Sequence, residues 1–235
     1  LFLMSMHALQ NRFYRRFSRL TGVRTLTYTL FGSLLLFEIL NYIGILSFGV
    51  AYTWFGRVVS TGGVLLVLLL LEYLFRKKLG THVSDVVWVS MSILVVIDFS
   101  GDFFGWYTSW IRYDQLAHFL SGPLLVSSLF LVFRQAAILL RWKYPEALNY
   151  VLALGVDSFL VIMYEAEEYL EDKFFFSQRL GNGPDTANDL LVNIIGGSLF
   201  IGAHVAYLYF TQRSARRKLV SPFAPSSFSA LHEHR

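Results

Sequence analysis

The sequence predicts an all-α membrane protein, a polytopic bundle of about six transmembrane helices. Composition is the first observation behind this prediction: 55% of the 235 residues are hydrophobic and only 15% are charged. Soluble domains carry about 25% charged residues. A water-soluble fold of this length has too small an interior to hide so much apolar surface, so lipid must be the solvent for much of the chain.

Six long apolar runs are the second observation. A helix needs roughly 20 apolar residues to cross the bilayer. The candidate spans are 26–50, 58–75, 85–101, 114–133, 146–168 and 189–211. Together they predict a six-helix transmembrane domain over residues 25–212.

The distribution of Lys and Arg is the third observation, and it predicts the orientation. Fifteen basic residues lie in one set of connections: Arg12, Arg15, Arg16, Arg19, Arg24, Arg76, Lys77, Lys78, Arg134, Arg141, Lys143, Arg213, Arg216, Arg217 and Lys218. The opposite set holds four: Arg57, Arg112, Lys173 and Arg179. Because cytoplasmic loops carry the excess of basic residues, both termini are expected on the cytoplasmic side.

Both ends of the chain are predicted to lie outside the bundle. Residues 1–24 form a basic amphipathic segment, in which apolar residues recur at helical spacing opposite the arginines: Met6, Leu9, Phe13, Phe17 and Leu20. This pattern is typical of an interfacial helix on an anionic leaflet. Residues 213–235 form a basic stretch and then a cytoplasmic tail rich in Ser, Pro and Phe, which we expect to be weakly ordered.

Acidic residues are concentrated on the side opposite the basic ones. Ten of the sixteen carboxylates map to the outer ends of spans three to six or to the outer loops: Asp98, Asp102, Asp114, Glu165, Glu167, Glu168, Glu171, Asp172, Asp185 and Asp189. In each of three spans, an acidic residue has another acid, a histidine or an asparagine three or four residues away. This spacing puts the side chains of each group on one helical face. The groups are Asp114 with His118, Glu165 with Glu168, and Asp185 with Asp189 and Asn193.

This combination of side chains is typical of a metal site. Carboxylates with one imidazole are ligands for divalent cations such as Mg, Mn, Ca or Zn, and bundles build such sites from facing helices. The predicted ligands are Asp114, His118, Glu165, Glu168, Asp185 and Asp189. Two further residues are possible additional members: Asp102 and Asn193.

Structural interpretations compete with the metal interpretation. Asp114 lies where a helix N-cap is expected, and Thr186 with Asp189 forms a capping-box pattern. Helix N-termini favour acids, which also accounts for Asp185. His118 has the alternative of an ordinary hydrogen-bonded histidine in an apolar span.

The acids at the end of span five differ from those at helix starts. Glu165 and Glu168 lie near a helix C-terminus, where the macrodipole disfavours negative charge, so capping does not explain them. The neighbouring Glu167, Glu171 and Asp172 are expected to be solvated.

Two acids lie deep in the predicted spans, Glu38 in span one and Asp157 in span five. No Lys or Arg is expected at that depth to neutralise them. One interpretation is a proton or cation path, because intramembrane acids mark such paths. The other is a neutral acid that is hydrogen-bonded to a neighbour such as Asn41.

Several function classes find no support in the sequence. There is no cysteine, which excludes disulfides, thiolate metal sites and cysteine nucleophiles. No haem, nucleotide or iron–sulfur motif is present, and the basic residues show no pattern for binding nucleic acid. Glycines 196, 197 and 202 give span six a small-residue face for close helix packing.

Several motifs in residues 95–200 carry a family resemblance. They are Gly101-Asp102-Phe-Phe-Gly105, Tyr113-Asp114-x-x-x-His118-Phe119, Tyr164-Glu165-x-x-Glu168-Tyr169 and Asp185-Thr186-x-x-Asp189, with Gly122 and Gly196 downstream of the second and fourth. With them the sequence resembles the YjdF-like family of bacterial inner-membrane proteins. A looser likeness is to VanZ-like proteins, which share the Asp-x-x-x-His helix start. The resemblance implies a multi-pass protein of the bacterial cytoplasmic membrane and brings no known reaction with it.

Three functional hypotheses follow. The first is an outward-facing divalent-metal site that acts on a lipid head group or another polar substrate. The second is a non-catalytic accessory subunit of a larger membrane complex. The third is a small cation or proton transporter that uses Glu38 and Asp157. The expected partners are the lipid bilayer and, under the second hypothesis, other membrane proteins, but not nucleic acid.

Overall fold

The computed structural model describes residues 21–110, 112–177, 179–181 and 183–220, and side chains between 22 and 211. Within these ranges the chain is helical and forms no strand, which confirms the all-α prediction. The helices are α1 (Thr21–Tyr42), α2 (Trp54–Leu79), α3 (Asp85–Phe103), the single turn α4 (Trp106–Ser109), α5 (Tyr113–Leu139), α6 (Ala147–Phe175) and α7 (Gly183–Val220).

Six of these helices are long and apolar enough to cross a membrane, as predicted. All are included except α4, which is too short. Many large apolar side chains on their outer faces are exposed, which suits contact with lipid. We call the end where α1, α3 and α6 finish and α2, α5 and α7 begin the acidic end.

The boundary between the first two spans was predicted wrongly. The first helix ends at Tyr42 rather than near residue 50, and the chain turns at Gly44, whose φ of 77° favours glycine. The second helix begins earlier than predicted because Thr53 caps it, its side chain accepting a hydrogen bond from the Gly56 N–H. As a result Arg57, expected in a loop, lies in the first turn of α2.

The last two helices are longer than predicted. The α6 helix continues to Phe175, and the backbone of α7 stays helical through Val220. Most of the predicted interfacial segment 1–24, and the tail beyond residue 220, lie outside the described residues.

Close backbone contact joins α5 to α7. A Cβ atom at Gly122 would meet the carbonyl oxygen of Asn193, and one at Gly196 would meet that of Phe119. This confirms the small-residue face of span six at Gly196, whereas nothing lies within 4 Å of a Cβ built at Gly202. The two helices therefore hold their polar N-terminal turns side by side.

The opposite end of the bundle is held by an ion-pair cluster of its own. Arg24 lies 2.5 Å from Asp85 and 3.2 Å from Glu72, and it donates to the carbonyl oxygen of Val83 at 2.7 Å. Above it, the core between α1, α2 and α3 consists of apolar side chains, including Phe31, Leu68, Phe75, Trp88 and Met91.

Candidate functional site

Three of the predicted ligands meet at the acidic end. The ligand atoms of Asp114, His118 and Asp189 all lie within 4.8 Å of one another. The first two are one turn apart at the start of α5, and Asp189 reaches them from α7 across the glycine contact. His118 and Asp189 are buried and Asp114 is half-buried. We call these three residues the Asp–His cluster.

A fourth predicted ligand, Glu165, approaches the same imidazole from α6. Its Oε1 lies 3.5 Å from His118 Nε2, and Asp114 Oδ1 lies 3.6 Å from the same nitrogen. One ring nitrogen carries at most one proton, so it cannot satisfy both carboxylates with good hydrogen bonds. Four side chains from three helices thus converge with more acceptors than donors.

Two buried carboxylate oxygens near His118 have no hydrogen-bond partner in the described chain, as expected where acceptors outnumber donors. Asp189 Oδ1 and Glu165 Oε1 are inaccessible to solvent and make no hydrogen bond within the described structure. Among the described residues, no Lys or Arg forms an ion pair with Asp114, Glu165 or Asp189. Like charges this close disfavour full ionisation, so the cluster either holds protons or takes a cation.

Below the cluster, Asn193 connects α7 to the deep acid Asp157. The side-chain amide of Asn193 is oriented so that both of its ends have a partner. Its nitrogen donates to Asp157 Oδ2 at 2.7 Å, and its oxygen accepts from Ser121 Oγ at 3.0 Å. Ser121 Oγ also lies 2.8 Å from the carbonyl oxygen of His118. Asp157 is fully buried, and its Oδ1 has no hydrogen-bond partner in the described chain.

A second acid-rich group lies beside the cluster and contains two buried arginines. We call it the arginine network: Arg57 and Arg179 with Glu38, Asp98, Asp102, Glu168 and Glu171. Arg57 Nη1 lies 2.5 Å from Asp98 Oδ2, and the guanidinium is 3.6 Å from Glu38 and 3.9 Å from Asp102. The prediction that no basic residue neutralises Glu38 was wrong, because Arg57 lies inside α2. Glu38 accepts its hydrogen bond from Thr61, not from Asn41.

The second arginine comes from the connection between α6 and α7. Arg179 Nε donates to Glu168 Oε1 at 2.8 Å, Nη1 donates to Glu171 Oε2 at 3.3 Å, and Nη2 donates to the hydroxyl of Tyr164. Glu168, a predicted ligand, therefore lies in an ion pair rather than in the cluster. Glu171 is 2% exposed, so the expectation that it is solvated was wrong. Its carboxylate also accepts from Thr53 at the start of α2.

Two tyrosines complete the network at Asp98. The hydroxyls of Tyr107 and Tyr164 both donate to Asp98 Oδ1 at 3.0 Å, and Arg179 Nη2 is 3.6 Å from the same oxygen. Burial raises the pKa of Tyr107 well above its ordinary value, so it remains a donor. Although burial alone would lower it, Tyr164, Glu168 and Asp98 raise the pKa of Arg179 well above its ordinary value.

Neither of the two remaining predicted residues is among the three whose ligand atoms meet. Asp102 belongs to the arginine network, whereas Asp185 lies near enough to the cluster to repel its carboxylates. Asp102 Oδ1 accepts from the Tyr52 N–H at 3.0 Å, which ties the connection before α2 to the end of α3. Asp185 is half-buried in the first turn of α7, and its carboxylate lies against Gly181, whose φ is 70°. Of the six predicted ligands, the structure gathers Asp114, His118, Glu165 and Asp189.

Comparison with known proteins agrees with this architecture. The family described as "Predicted membrane protein (DUF2238)" matches residues 27–212, a stretch that begins in α1 and ends in α7. The chain belongs to this family. No curated protein and no solved structure matches it. The DUF2238 match contains all of the Asp–His cluster and the arginine network.

The sequence did not predict that two arginines, Arg57 and Arg179, lie in the polar interior of this DUF2238 protein. A signal was available, because Arg57 and Arg179 are two of only four basic residues in the connections predicted to be outside. A basic residue that departs from the orientation pattern and lies near many acids is a candidate for a buried ion pair. The tyrosine donors carried no comparable signal, since the chain has 13 tyrosines.

Proposed function

We propose that this DUF2238 protein binds a divalent cation in the Asp–His cluster, with Glu165 as a fourth donor. The observation that carries the proposal is the set of three ligand atoms within 4.8 Å, beside buried carboxylate oxygens that have neither a hydrogen-bond donor nor an arginine at ion-pair distance in the described chain. Three carboxylates with one imidazole suit Mn, Mg, Ca or Zn.

The same arrangement supports a chemical role. A bound cation polarises a substrate oxygen or lowers the pKa of a bound water, and a carboxylate such as Glu165 then accepts the proton. In this proposal the site faces the outer side of a bacterial cytoplasmic membrane, both termini are cytoplasmic, and the substrate is a lipid head group or a similar polar group. The YjdF-like motifs support that placement.

Metal analysis with matched variants tests the proposal. Purified protein is loaded with Mn²⁺, desalted and analysed by elemental mass spectrometry and electron paramagnetic resonance. Asp189→Asn and Glu165→Gln are each expected to lower the affinity by at least about 10–100-fold, the loss seen when even outer partners of a metal site are removed. Glu146→Gln, at the far end of the bundle, serves as the control and is expected to bind like the native chain.

One result would overturn the metal proposal. If the native chain binds no more Mn²⁺ than the Asp189→Asn variant, the cluster is a set of protonated acids. Asp185→Asn, one turn earlier on α7, adds a sharper comparison. Unchanged affinity in that variant places Asp185 outside the ligand set.

A proton path is a second candidate, favoured by the polar series that leads from the cluster to Asp157. Ser121, Asn193 and Asp157 follow one another into the bundle at hydrogen-bonding distances, and Ser121 reaches the backbone carbonyl oxygen of His118 rather than its ring. Glu38 is less suited to such a path, because Arg57 pairs with it. Proteoliposome proton flux that is equal in the native chain and in Asp157→Asn would remove this candidate.

No particular contact favours the accessory-subunit hypothesis, since lipid alone suffices to cover the exposed apolar faces.

A further inference from the structure

A long cavity of about 320 Å³ runs between α2, α3, α5 and α6. This size falls in the range of about 300–1,000 Å³ that is usual for small-molecule sites. On α5 the cavity is lined from Ala117 to Val132, a distance of about 22 Å at 1.5 Å per residue. On α3 it is lined from Val87 to Asp98. The cavity therefore follows the helix axes and is elongated rather than round.

The two ends of the cavity differ in chemistry. Near the acidic end its walls carry polar groups, including Asp98, Tyr107, His118 and Tyr164. Towards the other end the walls are almost entirely apolar and include Leu68, Leu71, Val87, Met91 and Val132. The hydroxyl of Ser128, which also lines this part, donates to the carbonyl oxygen of Leu124 at 2.7 Å. The apolar part thus offers water few partners.

We propose that this cavity binds one hydrocarbon chain of an amphiphile whose polar group lies beside His118. His118 belongs both to the cavity wall and to the Asp–His cluster, so a chain in the cavity would present its polar group at the proposed cation. The identity of the polar group as a substrate rests on the proposed metal function, whereas binding of the chain does not. The substrate class is a membrane amphiphile with a slim tail.

The shape and the surroundings favour a lipid chain over other occupants. A dry cavity forfeits dispersion contacts along its walls, and a hydrocarbon chain restores them. The bilayer around the six spans supplies such chains at high concentration. Because the charged and tyrosine groups lie at one end, and the Ser128 hydroxyl is bonded within its own helix, the bound amphiphile has a defined direction, with its tail pointing away from the acidic end.

Photo-crosslinking tests the proposal. The full chain in nanodiscs is labelled with a long-chain fatty alcohol that carries a diazirine near its methyl end. Adducts are expected on Leu71, Val87 and Val132, and unlabelled alcohol should compete them away. Leu125→Trp, which fills the middle of the cavity, should reduce labelling at least about tenfold, because each methylene kept out forfeits its burial. Leu120→Trp, on the lipid-exposed face of the same helix, should change labelling less than about twofold.

The outcomes separate this proposal from the metal proposal. Adducts that do not saturate, or that are equal in Leu125→Trp and Leu120→Trp, would mean contact with bulk lipid only and would overturn it. Saturable labelling that persists in Asp189→Asn, together with loss of Mn²⁺ binding, supports both proposals. Saturable labelling of a chain that binds no Mn²⁺ retains the amphiphile site and removes the metal site. A folded Leu125→Trp variant is verified by the same gel-filtration profile as Leu120→Trp.

Discussion

The Asp–His cluster and the arginine network lie side by side at one end of the bundle, and both are rich in buried carboxylates. In the network, five carboxylates are distributed around two guanidinium groups and two tyrosine hydroxyls. In the cluster, the carboxylates share one imidazole, and no guanidinium of the described chain forms an ion pair with them. Buried oxygens without a hydrogen-bond partner among the described residues occur in both groups, so the arginines are what distinguishes them. A buried acid with a cation built into the fold supports the structure, whereas a buried acid without one is available for an external ligand.

The largest effect is expected from removing a cation of the network. Arg57→Met leaves Glu38 buried without an ion-pair partner in the described structure and removes the closer of the two arginines at Asp98, so the free energy of unfolding should fall by about 3–5 kcal/mol. Denaturant unfolding in detergent, followed by circular dichroism, measures this change. Arg112→Met, at an exposed arginine just before α5 at the same end of the bundle, is the matched control and should stay within about 0.5 kcal/mol of the native protein. Equal stability of the two variants would show that the network is not structural.

The next largest effect concerns the Asp–His cluster, where removing a charged side chain should not destabilise the metal-free protein. Without metal, Asp189→Asn should be at least as stable as the native chain, because one of several mutually repelling acids is removed. With Mn²⁺ at about 100 times its dissociation constant, the native chain should gain about 2.7 kcal/mol by mass action. The variant should gain little. Thermal unfolding with Mn²⁺ and with a chelator measures both, and a variant that gains as much as the native chain contradicts the proposal.

A smaller effect is expected where α5 and α7 touch. Gly122→Ala puts a Cβ against the carbonyl oxygen of Asn193 and should cost about 1–3 kcal/mol of stability, as overpacking does. It should also weaken Mn²⁺ binding, since Asp189 moves with α7. Gly202→Ala has open space around it and should be neutral or stabilising. Denaturant unfolding and Mn²⁺ titration of Gly122→Ala and Gly202→Ala distinguish the cost of overpacking between helices from the effect of alanine on helix propensity.

The smallest effect is expected at an ion pair far from both groups whose acid, but not its arginine, is exposed. Arg134 Nε lies 3.1 Å from Glu146 Oε1; the arginine side chain is buried, whereas the glutamate side chain is 47% exposed and in contact with water. Such pairs contribute about 0–1 kcal/mol, so Glu146→Gln should scarcely change the unfolding midpoint. A loss as large as that of Arg57→Met would show that exposure does not distinguish the charged groups of this protein.

The sequence predicted the number of spans because chain length and apolarity per span are local properties that the bilayer imposes on each helix separately. It also predicted that Asp114 and His118 share a helical face, since helical periodicity alone places residues four apart together. The boundary at Gly44 was missed because the apolar run continues past Tyr42 with no charge to interrupt it.

The sequence alone thus determined an all-α membrane bundle and an acid-rich end with a metal-ligand composition. Only the tertiary structure decided how the acids divide, with Glu168 and Glu38 paired to arginines and Asp114, Asp189 and Glu165 gathered at one histidine. The physical reason is that composition shows how many acids are present, but pairing depends on which helix faces meet. Those meetings depend on long-range contacts such as Gly122 against α7, which no local pattern encodes.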